Sequence, residues 1–388
     1  MTLSSDLQEL RSQFRLVRET FQKHGSYIPA TLDDPPEEPQ PPDMDRLDDD
    51  SNFDRRNLCV NVEESTSGGA LHVDPGPILP RTERNFFKYF LDGSIRTYYL
   101  GEQLENGRSY PLIATEVASA AILRSEDGRQ SVAGFKRKIA LLIPPAPPML
   151  PETVHELMEV REQMMSTTSR FKLEVVKLDA HERQEGVDLR TSLLGKARAE
   201  MHTVEHDLAH QIKRSEEEWL VLDGAIRKHE FLGLKETIGL AKSFSRNPIF
   251  RTQDRGIIDV VALVSELREG QRTAVFKHES VADSESREGD RARKEVAFWY
   301  TRLRSGKGLE GPLQGVVKID YHLEKDRLDS TDLELVNRIT RALAAERYVS
   351  PYPTPRWHAH IYPIFTAENY IKASLLSPLV FRGYFGAR

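Results

Sequence analysis

A six-residue pattern occurs twice in this sequence, and in each copy an aspartate and a glycine follow a leucine. Residues 91–96 read LDGSIR and residues 222–227 read LDGAIR, and each copy comes directly after an apolar stretch that predicts a buried strand. Burial of a carboxylate at the end of such a strand costs free energy unless a cation compensates its charge. The glycine that follows leaves space for a bulky ligand. We therefore expect Asp92 and Asp223 to lie side by side in a sheet and to share a cation site.

Two neighbouring carboxylates of this kind suit hard divalent cations. Mg²⁺ and Mn²⁺ prefer oxygen ligands, and two such ions about 3.5 to 4 Å apart stabilise both the attacking and the leaving oxygen of a phosphodiester. The simpler interpretation is that each Asp-Gly pair forms a hairpin turn, where this dipeptide is common. The repetition of the whole hexapeptide favours the cation site over two unrelated turns.

A third carboxylate is expected from the helix that is predicted just before the second copy. Apolar residues recur there every three or four positions between residues 189 and 214. Glu205 borders this apolar stripe and can therefore point inward, whereas Asp207 lies further round the helix. Glu200 is a second candidate, and an exposed helix glutamate remains the alternative interpretation of either position.

The segment 348–373 is dense in side chains that bind metals or transfer protons. His358, His360, Tyr362 and Glu368 fall within eleven positions. Imidazole titrates near neutral pH and carboxylate is a hard ligand, so His360 or Glu368 is a candidate to complete a metal site or to move a proton. A surface loop that closes the domain is the alternative.

Two basic residues near a further predicted strand are candidates for binding nucleic acid. Lys242 lies at the end of the stretch ETIGLAKS, and Arg246 follows it closely. Either side chain can hold a backbone phosphate. An ordinary solvated lysine is the alternative for Lys242.

The predicted elements place these residues in an α/β fold. Strand-like segments come first, from residue 84 to residue 143, as an antiparallel meander; helices and strands then alternate. This order indicates a mixed sheet flanked by helices rather than an all-α bundle or a β-sandwich. A ribonuclease H-like core has the same general order.

The N-terminal part of the chain has a different character. Residues 4–24 predict an amphipathic helix that must bury its apolar face on its own domain or on a partner, and residues 31–52 are rich in proline and carboxylates, which predicts an extended linker. We therefore divide the chain into an N-terminal helical arm (1–30), an acidic linker (31–83) and a main domain (84–388).

Composition limits the cellular context. The chain has 388 residues, a net charge of -6 and one cysteine, Cys59, which excludes an internal disulfide framework and fits a reducing cytoplasm. No apolar run reaches the ~18 to 20 residues that cross a bilayer, and the N terminus lacks a hydrophobic signal core. We expect a cytoplasmic protein without a membrane partner. The negative net charge is compatible with a local basic groove that binds a polyanion.

These motifs resemble those of the NurA nuclease family, whose members work with a HerA-type hexameric DNA-translocating ATPase. The resemblance covers residues 84–380. The first strand of the family ends in Asp-Gly-Ser, as residues 92–94 do, and a helix glutamate precedes a second Leu-Asp-Gly strand, as Glu205 precedes Asp223. A later Gly-Val-Lys-like strand resembles residues 239–242.

The last motif of the family is a Tyr-Pro segment that leads into a helix bearing an Ala-His pair. Two registers are possible here. Residues 352–353 with Ala359-His360 keep the residue types, whereas residues 362–363 with Ala367-Glu368 fit the helical pattern better and replace the histidine by glutamate. We favour the second register and treat His360 as a nearby contributor.

The resemblance implies a PIWI-like variant of the ribonuclease H fold and a DNA exonuclease or endonuclease that uses Mn²⁺ or Mg²⁺. Asp92, Glu205 and Asp223 would hold one or two ions, and Glu368 or His360 would be the remaining metal ligand. The implied assembly is a homodimer docked on a HerA-like hexameric ATPase, acting in DNA end processing and repair or in antiviral defence. The alternatives are an inactive nuclease-like scaffold or sensor subunit, and a guide-dependent nuclease.

Overall fold

The computed structural model describes most of the main domain and the N-terminal helix. Several parts of the chain lie outside the described residues: the linker predicted at 31–52, Arg227, the Tyr-Pro pair at 352–353, and residues 279–294, whose polar sequence predicts a flexible loop. The described residues are 3–30, 58–63, 70–80, 86–165, 169–179, 187–215, 217–226, 231, 233–252, 256–278, 295–305, 311–323, 325, 327–347 and 357–385.

Fifteen strands and seven α-helices lie within these ranges. The strands are β1 (Ser26–Pro29), β2 (Leu58–Asn61), β3 (His72–Val73), β4 (Phe87–Glu105), β5 (Arg108–Arg124), β6 (Gln130–Ile143), β7 (Leu173–Lys177), β8 (Trp219–Asp223), β9 (Thr237–Ala241), β10 (Ile249–Thr252), β11 (Gly256–Asp259), β12 (Arg272–Thr273), β13 (Phe276–His278), β14 (Val296–Arg302) and β15 (Val316–His322). The helices are α1 (Leu3–His24), α2 (Pro151–Met165), α3 (Leu189–Gln211), α4 (Val260–Ser265), α5 (Ser330–Glu346), α6 (Tyr362–Ser374) and α7 (Pro378–Phe385).

All of the described strands belong to one mixed sheet. Its centre has the order β9-β8-β4-β5-β6, in which β4, β5 and β6 form an antiparallel meander while β8 runs parallel to β4 and β9 parallel to β8. The predicted α/β class, with a large mixed sheet flanked by helices, is confirmed. None of the described helices combines the length and the apolar character needed to span a membrane.

Strand β4 differs from its prediction, because the sequence pattern divides this region into two strands at the Asp-Gly pair. In the structure the strand continues without a turn. Asp92 pairs with Ala120 and Gly93 pairs with Ser119, so both lie inside the β4–β5 ladder. The Ser119 hydroxyl also donates a hydrogen bond to the Asp92 carbonyl oxygen (2.8 Å). The hairpin interpretation of this first Asp-Gly pair is therefore wrong.

A second difference concerns residues 257–269, IIDVVALVSELRE, whose sequence predicts a helix. The first part of this segment forms the strand β11, and only the short helix α4 follows. The side chain of Asp259 accepts a hydrogen bond from the backbone N–H of Ala262 (2.7 Å) and so begins the helix there. The pairing of β11 with β10 holds the preceding residues in an extended conformation.

Helices cover both faces of the central sheet. On one face, Leu208 and Ala209 of α3 pack against Leu91 and Leu222 of the sheet. On the opposite face, Ile371 of α6 packs against small residues of β5 such as Ala118 and Ala120. Because alanine side chains are small, α6 lies close to the sheet, above β5 and above β4, which carries the first copy of the repeated motif.

The N-terminal helix packs on the main domain of its own chain. Phe14 of α1 is fully buried and its ring lies 5.7 Å from that of Phe385 in α7. The side chain of Gln13 accepts a hydrogen bond from the backbone N–H of Leu173 (2.7 Å), the first residue of the outermost strand β7. The helix therefore buries its apolar face and also covers an edge of the sheet.

We expect the substitution Phe14→Ala to lower the free energy of unfolding by about 3 to 5 kcal/mol, because it leaves a cavity among fully buried side chains. Urea denaturation measures this change. The control is Arg15→Ala on the exposed side of the same helix, which should change stability by less than about 0.5 kcal/mol. Equal stability of the two variants would show that α1 is not part of the cooperative unit.

Candidate active site

The two aspartates of the repeated motif lie on neighbouring parallel strands. Leu91 of β4 pairs with Leu222 of β8, so the residues that follow them, Asp92 and Asp223, are adjacent. Asp92 is only 6% exposed, and within the described part of the chain the buried Oδ1 atom of Asp223 has no hydrogen-bond partner. The structure thus brings together two carboxylates that are distant in sequence.

Glu205 approaches this pair from the other side of the sheet. Successive residues of a strand face opposite sides, so Asp92 faces α6 while Gly93 faces α3. A Cβ atom added at Gly93 would lie 2.2 Å from the Glu205 Oε1 atom, so only glycine leaves room for this carboxylate. Glu205 is 7% exposed, and its Oε2 atom lies 2.8 Å from Nδ1 of His202. The glycine of the first motif is therefore explained by contact with Glu205 rather than by a turn.

We expect Gly93→Ala to destabilise the protein by about 1 to 3 kcal/mol, because the added methyl group forces Glu205 to move. Thermal denaturation measures the change. The matched control is Gly195→Ala in α3, where a Cβ atom meets nothing within 4 Å and where alanine favours the helix. If Gly93→Ala proves as stable as the parent, the close contact with Glu205 does not exist in solution.

Helix α6 supplies the fourth carboxylate. It begins at Tyr362, with Pro363 in its first turn, so the helix expected from the second register is present. Glu368 in this helix binds Lys372 (2.6 Å). Burial raises the pKa of Glu368, but Lys372, Lys242 and His360 outweigh this effect and the net shift is downward. His360 lies just before the helix and is close enough for its charge to act on Glu368.

Lys242 is the cation that these carboxylates share in the structure. Its Nζ atom lies 2.8 Å from Oδ2 of Asp223. Burial lowers the pKa of Lys242, but the carboxylates of Asp223, Asp92 and Glu368 raise it further than burial lowers it. A buried ammonium group in this position is held in its charged form by its neighbours.

The surroundings of Asp92 shift its pKa strongly upward. Burial raises its pKa well above the usual range, and the negative charges of Asp223, Glu205 and Glu368 raise it further, while Lys242 opposes them. We refer to these four carboxylates with Lys242 as the acidic cluster. The cluster contains more negative than positive charge, which is the condition under which an added cation is stabilised.

The donor types of the acidic cluster fit a hard divalent cation, but the side chains do not converge on one. Within the described part of the chain, no three His, Cys, Asp or Glu side chains are placed to hold a single metal ion. Three of the carboxylates are instead paired with protein groups: Asp223 with Lys242, Glu205 with His202, and Glu368 with Lys372. The buried Oδ1 atom of Asp223 and the raised pKa of Asp92 are the two features that favour an added cation.

Other sequence candidates lie outside the acidic cluster. Arg246 is exposed on the loop after β9. Glu200 pairs with Lys138 (2.8 Å), and Asp207 pairs with Lys136. These two acids of α3 are therefore paired with cations of β6, and of the two helix candidates, Glu205 and Glu200, only Glu205 acts by its charge on Asp92.

Asp320 of β15 is a residue that the sequence analysis did not select. It is 2% exposed, and its Oδ2 atom accepts a hydrogen bond from the backbone N–H of Ile226 (3.1 Å). Lys318 lies 2.8 Å from its other oxygen. Asp320 thereby fixes the turn that follows Asp223. The available signal was the pair of charges at alternate positions of an otherwise apolar strand, which places both on one face.

Three charged side chains of the meander hold the segment that follows α6 and were also missed. Glu116 of β5 accepts a hydrogen bond from the backbone N–H of Leu376 (2.9 Å), and Arg137 of β6 lies 3.4 Å from Glu116. Arg96 of β4 donates to the carbonyl oxygen of Leu376 (3.1 Å). The helix that carries Glu368 is thus tied to all three strands of the meander.

No model of a known protein family matches the sequence, and no curated protein is significantly similar to it. Because one fold can carry many activities, any proposal about function has to come from the residues of the site.

Proposed function

We propose that this protein is a metal-dependent deoxyribonuclease with a ribonuclease H-like, PIWI-like core, related to the NurA nucleases. The observation that carries the proposal is the adjacency of Asp92 and Asp223, which come from two near-identical motifs and lie on neighbouring parallel strands. The order of the sheet supports it, because an antiparallel meander followed by strands parallel to its first member is expected of such a core.

Mn²⁺ or Mg²⁺ would be held by Asp92, Glu205 and Asp223, with Glu368 or His360 completing the set. Such ions, when bound, lower the pKa of water and stabilise the oxygens of a phosphodiester. The protein contributes four carboxylates from two strands and two helices, and the charges of three of them act on the fourth, Asp92. His360 is suited to proton transfer, since it lies beside Glu368 and imidazole titrates near neutral pH.

The proposed partners follow from the motif resemblance. They are DNA as the substrate, a second copy of the chain, and a HerA-like hexameric ATPase in the cytoplasm, in DNA end processing and repair or in defence against phage. Lys242 and Arg246 stay predictions as phosphate contacts, although the pairing of Lys242 with Asp223 gives that lysine a role within the acidic cluster.

The test is cleavage of labelled single-stranded and double-stranded DNA with Mn²⁺, Mg²⁺ or a chelator. We expect degradation with Mn²⁺ or Mg²⁺ and none with the chelator. Absence of cleavage under all conditions, with and without the ATPase, would contradict the proposal.

A catalytically inactive scaffold or sensor subunit is the second candidate. The pairing of Lys242 with Asp223 favours it, because an ammonium group already compensates part of the charge that a metal ion would compensate. Isothermal titration with Mn²⁺ separates the two candidates. A scaffold has no need to bind the ion, whereas a nuclease binds it and loses that binding when Asp223 is replaced.

A further inference from the structure

A group of basic and aromatic side chains lies beside the acidic cluster. Arg304 follows strand β14, and its guanidinium carbon lies 4.9 Å from the ring centroid of Trp357. The rings of Trp357 and His358 are 6.2 Å apart, and Arg347 lies at the end of α5. All four side chains are only partly buried. We call Arg304, Arg347, Trp357 and His358 the arginine–tryptophan cluster.

The two clusters are connected through a short piece of chain. The backbone N–H of His360 donates a hydrogen bond to the carbonyl oxygen of Trp357 (3.1 Å), so residues 357–360 form one tight turn. Strands β9 and β14 lie on either side of β15, where Ala241 pairs with Lys318 and Thr301 pairs with the adjacent Val317. Arg304, which follows β14, therefore lies at the same edge of the sheet as Lys242, which follows β9.

Positive charge exceeds negative charge in the arginine–tryptophan cluster. Arg347 binds Glu269 and the carbonyl oxygen of Leu303. Burial and the like charge of Arg347 lower the pKa of Arg304, and burial and the charge of Arg304 lower that of His358. Two guanidinium groups beside one carboxylate form an arrangement that an additional anion stabilises.

A nuclease with an acidic site needs such cations nearby. The carboxylates of the acidic cluster repel the phosphates of the DNA, so the strand has to be held by positive charge outside the cluster. Proteins that bind single strands combine backbone cations with aromatic rings on which bases stack. The arginine–tryptophan cluster offers both kinds of group at the same edge of the sheet as Lys242.

We propose that the arginine–tryptophan cluster binds the single-stranded end of the DNA, with a phosphate at Arg304 and Arg347 and a base against the exposed part of the Trp357 ring. This inference rests on the proposed function, since it assigns the substrate-binding surface of that same site. It predicts a preference for single-stranded ends, because a base within a duplex cannot stack on a side chain.

The experiment measures binding of a fluorescent oligothymidylate by anisotropy in the presence of a chelator, which separates binding from cleavage. We expect Trp357→Leu to weaken binding about tenfold or more, the order of one lost stacking contact, and Trp357→Phe to retain most of the affinity. Arg304→Gln should weaken binding and reduce the slope of log K against log salt by about 0.7, the value for one phosphate contact on a single strand.

Tryptophan fluorescence gives an independent readout. Of the three tryptophans, Trp299 is fully buried and Trp219 nearly so, so quenching by the oligonucleotide should come from Trp357 and disappear in Trp357→Phe. The matched control is Arg338→Gln, since Arg338 of α5 also lies 4.9 Å from an aromatic ring, that of Phe86 just before β4. This control should bind like the parent.

The outcomes distinguish this inference from the proposed function. Unchanged binding in both Trp357→Leu and Arg304→Gln overturns the inference, even if the protein cleaves DNA. Binding that depends on Trp357 and Arg304 supports it, even if no cleavage is found. Tighter binding of a blunt duplex than of the single strand also overturns it.

Discussion

Replacement of Asp92 or Asp223 by asparagine should reduce metal-dependent DNA cleavage by about a thousandfold or more. Ligands of a catalytic ion supply several kcal/mol of transition-state stabilisation, and each 1.36 kcal/mol corresponds to a factor of about ten in rate. Asparagine keeps the size of the side chain but removes the charge that holds the ion. Initial rates of cleavage with Mn²⁺, compared at equal protein concentration, measure the effect.

The control for this experiment is Asp127→Asn. Asp127 lies in the exposed turn between β5 and β6, far along the meander from the acidic cluster. The Asp127→Asn variant should therefore cleave DNA like the parent. Parent-like cleavage by both Asp92→Asn and Asp223→Asn would overturn the proposed function. Loss of activity in Asp127→Asn as well would indicate a general effect on folding.

The same Asp92→Asn variant has an expected effect on stability as a function of pH. Burial, followed by the charges of Asp223, Glu205 and Glu368, raises the pKa of Asp92 in the folded protein. The folded state therefore binds this proton more tightly than the unfolded chain does. The stability due to the protonated form is present at low pH and is lost as the pH rises from the usual aspartate pKa through the raised one.

Asparagine does not ionise, so metal-free Asp92→Asn should keep the stability that the parent loses over this range of pH. Its melting temperature should exceed that of the parent at neutral pH, by about 2 to 4 °C for each kcal/mol in a domain of this size class. Saturating Mn²⁺ should narrow the difference by compensating the Asp92 charge. A parent whose stability does not fall over this pH range would show that Asp92 is not crowded by other carboxylates.

Substitution of Lys242 by methionine should produce the largest loss of stability at the site. Removal of one partner from a buried ion pair costs about 3 to 5 kcal/mol, because the other charge is left uncompensated. Here Lys242 is the counter-cation of Asp223 and also acts on Asp92 and Glu368. Thermal denaturation with a chelator measures the loss, and the same experiment with Mn²⁺ measures its recovery.

The decisive measurement is how far Mn²⁺ restores the melting temperature of Lys242→Met. The matched control is Lys318→Met. Lys318 also forms a buried pair with an aspartate, Asp320, at the same distance of 2.8 Å, but outside the acidic cluster. Both variants should be destabilised, and Mn²⁺ should raise the melting temperature of Lys242→Met more than that of Lys318→Met. Equal shifts in the two variants would mean that the acidic cluster binds no cation.

The adjacency of Asp92 and Asp223 was predictable because the repeated hexapeptide marks both strands. The same holds for Glu205, whose place on the border of the apolar stripe of α3 directs it inward, and for Glu368, since Pro363 marks the start of α6. In each case a local pattern along the chain determines on which face of its element the side chain lies. Their roles as metal ligands stay predictions.

Other parts of the site depend on contacts between distant segments, which no local pattern contains. Strand β4 continues through its Asp-Gly pair because β5 provides hydrogen-bond partners on both sides of it. Asp320 lies beneath the turn after Asp223 only because β15 is the neighbour of β9. The sequence placed Lys242 at the end of a strand but not beside Asp223, since that contact depends on the order of strands in the sheet.

The distance along the chain between β4 and β8 has a kinetic consequence. Short turns connect β4, β5 and β6, so their pairing requires little loss of loop entropy, whereas β8 pairs with β4 only after a long intervening segment is closed. We therefore expect the carboxylates to meet late in folding, after a transition state in which the meander is already formed. Their mutual repulsion should then act mainly on the rate of unfolding, and neutral substitutions at Asp92 should lengthen the lifetime of the native state without accelerating folding.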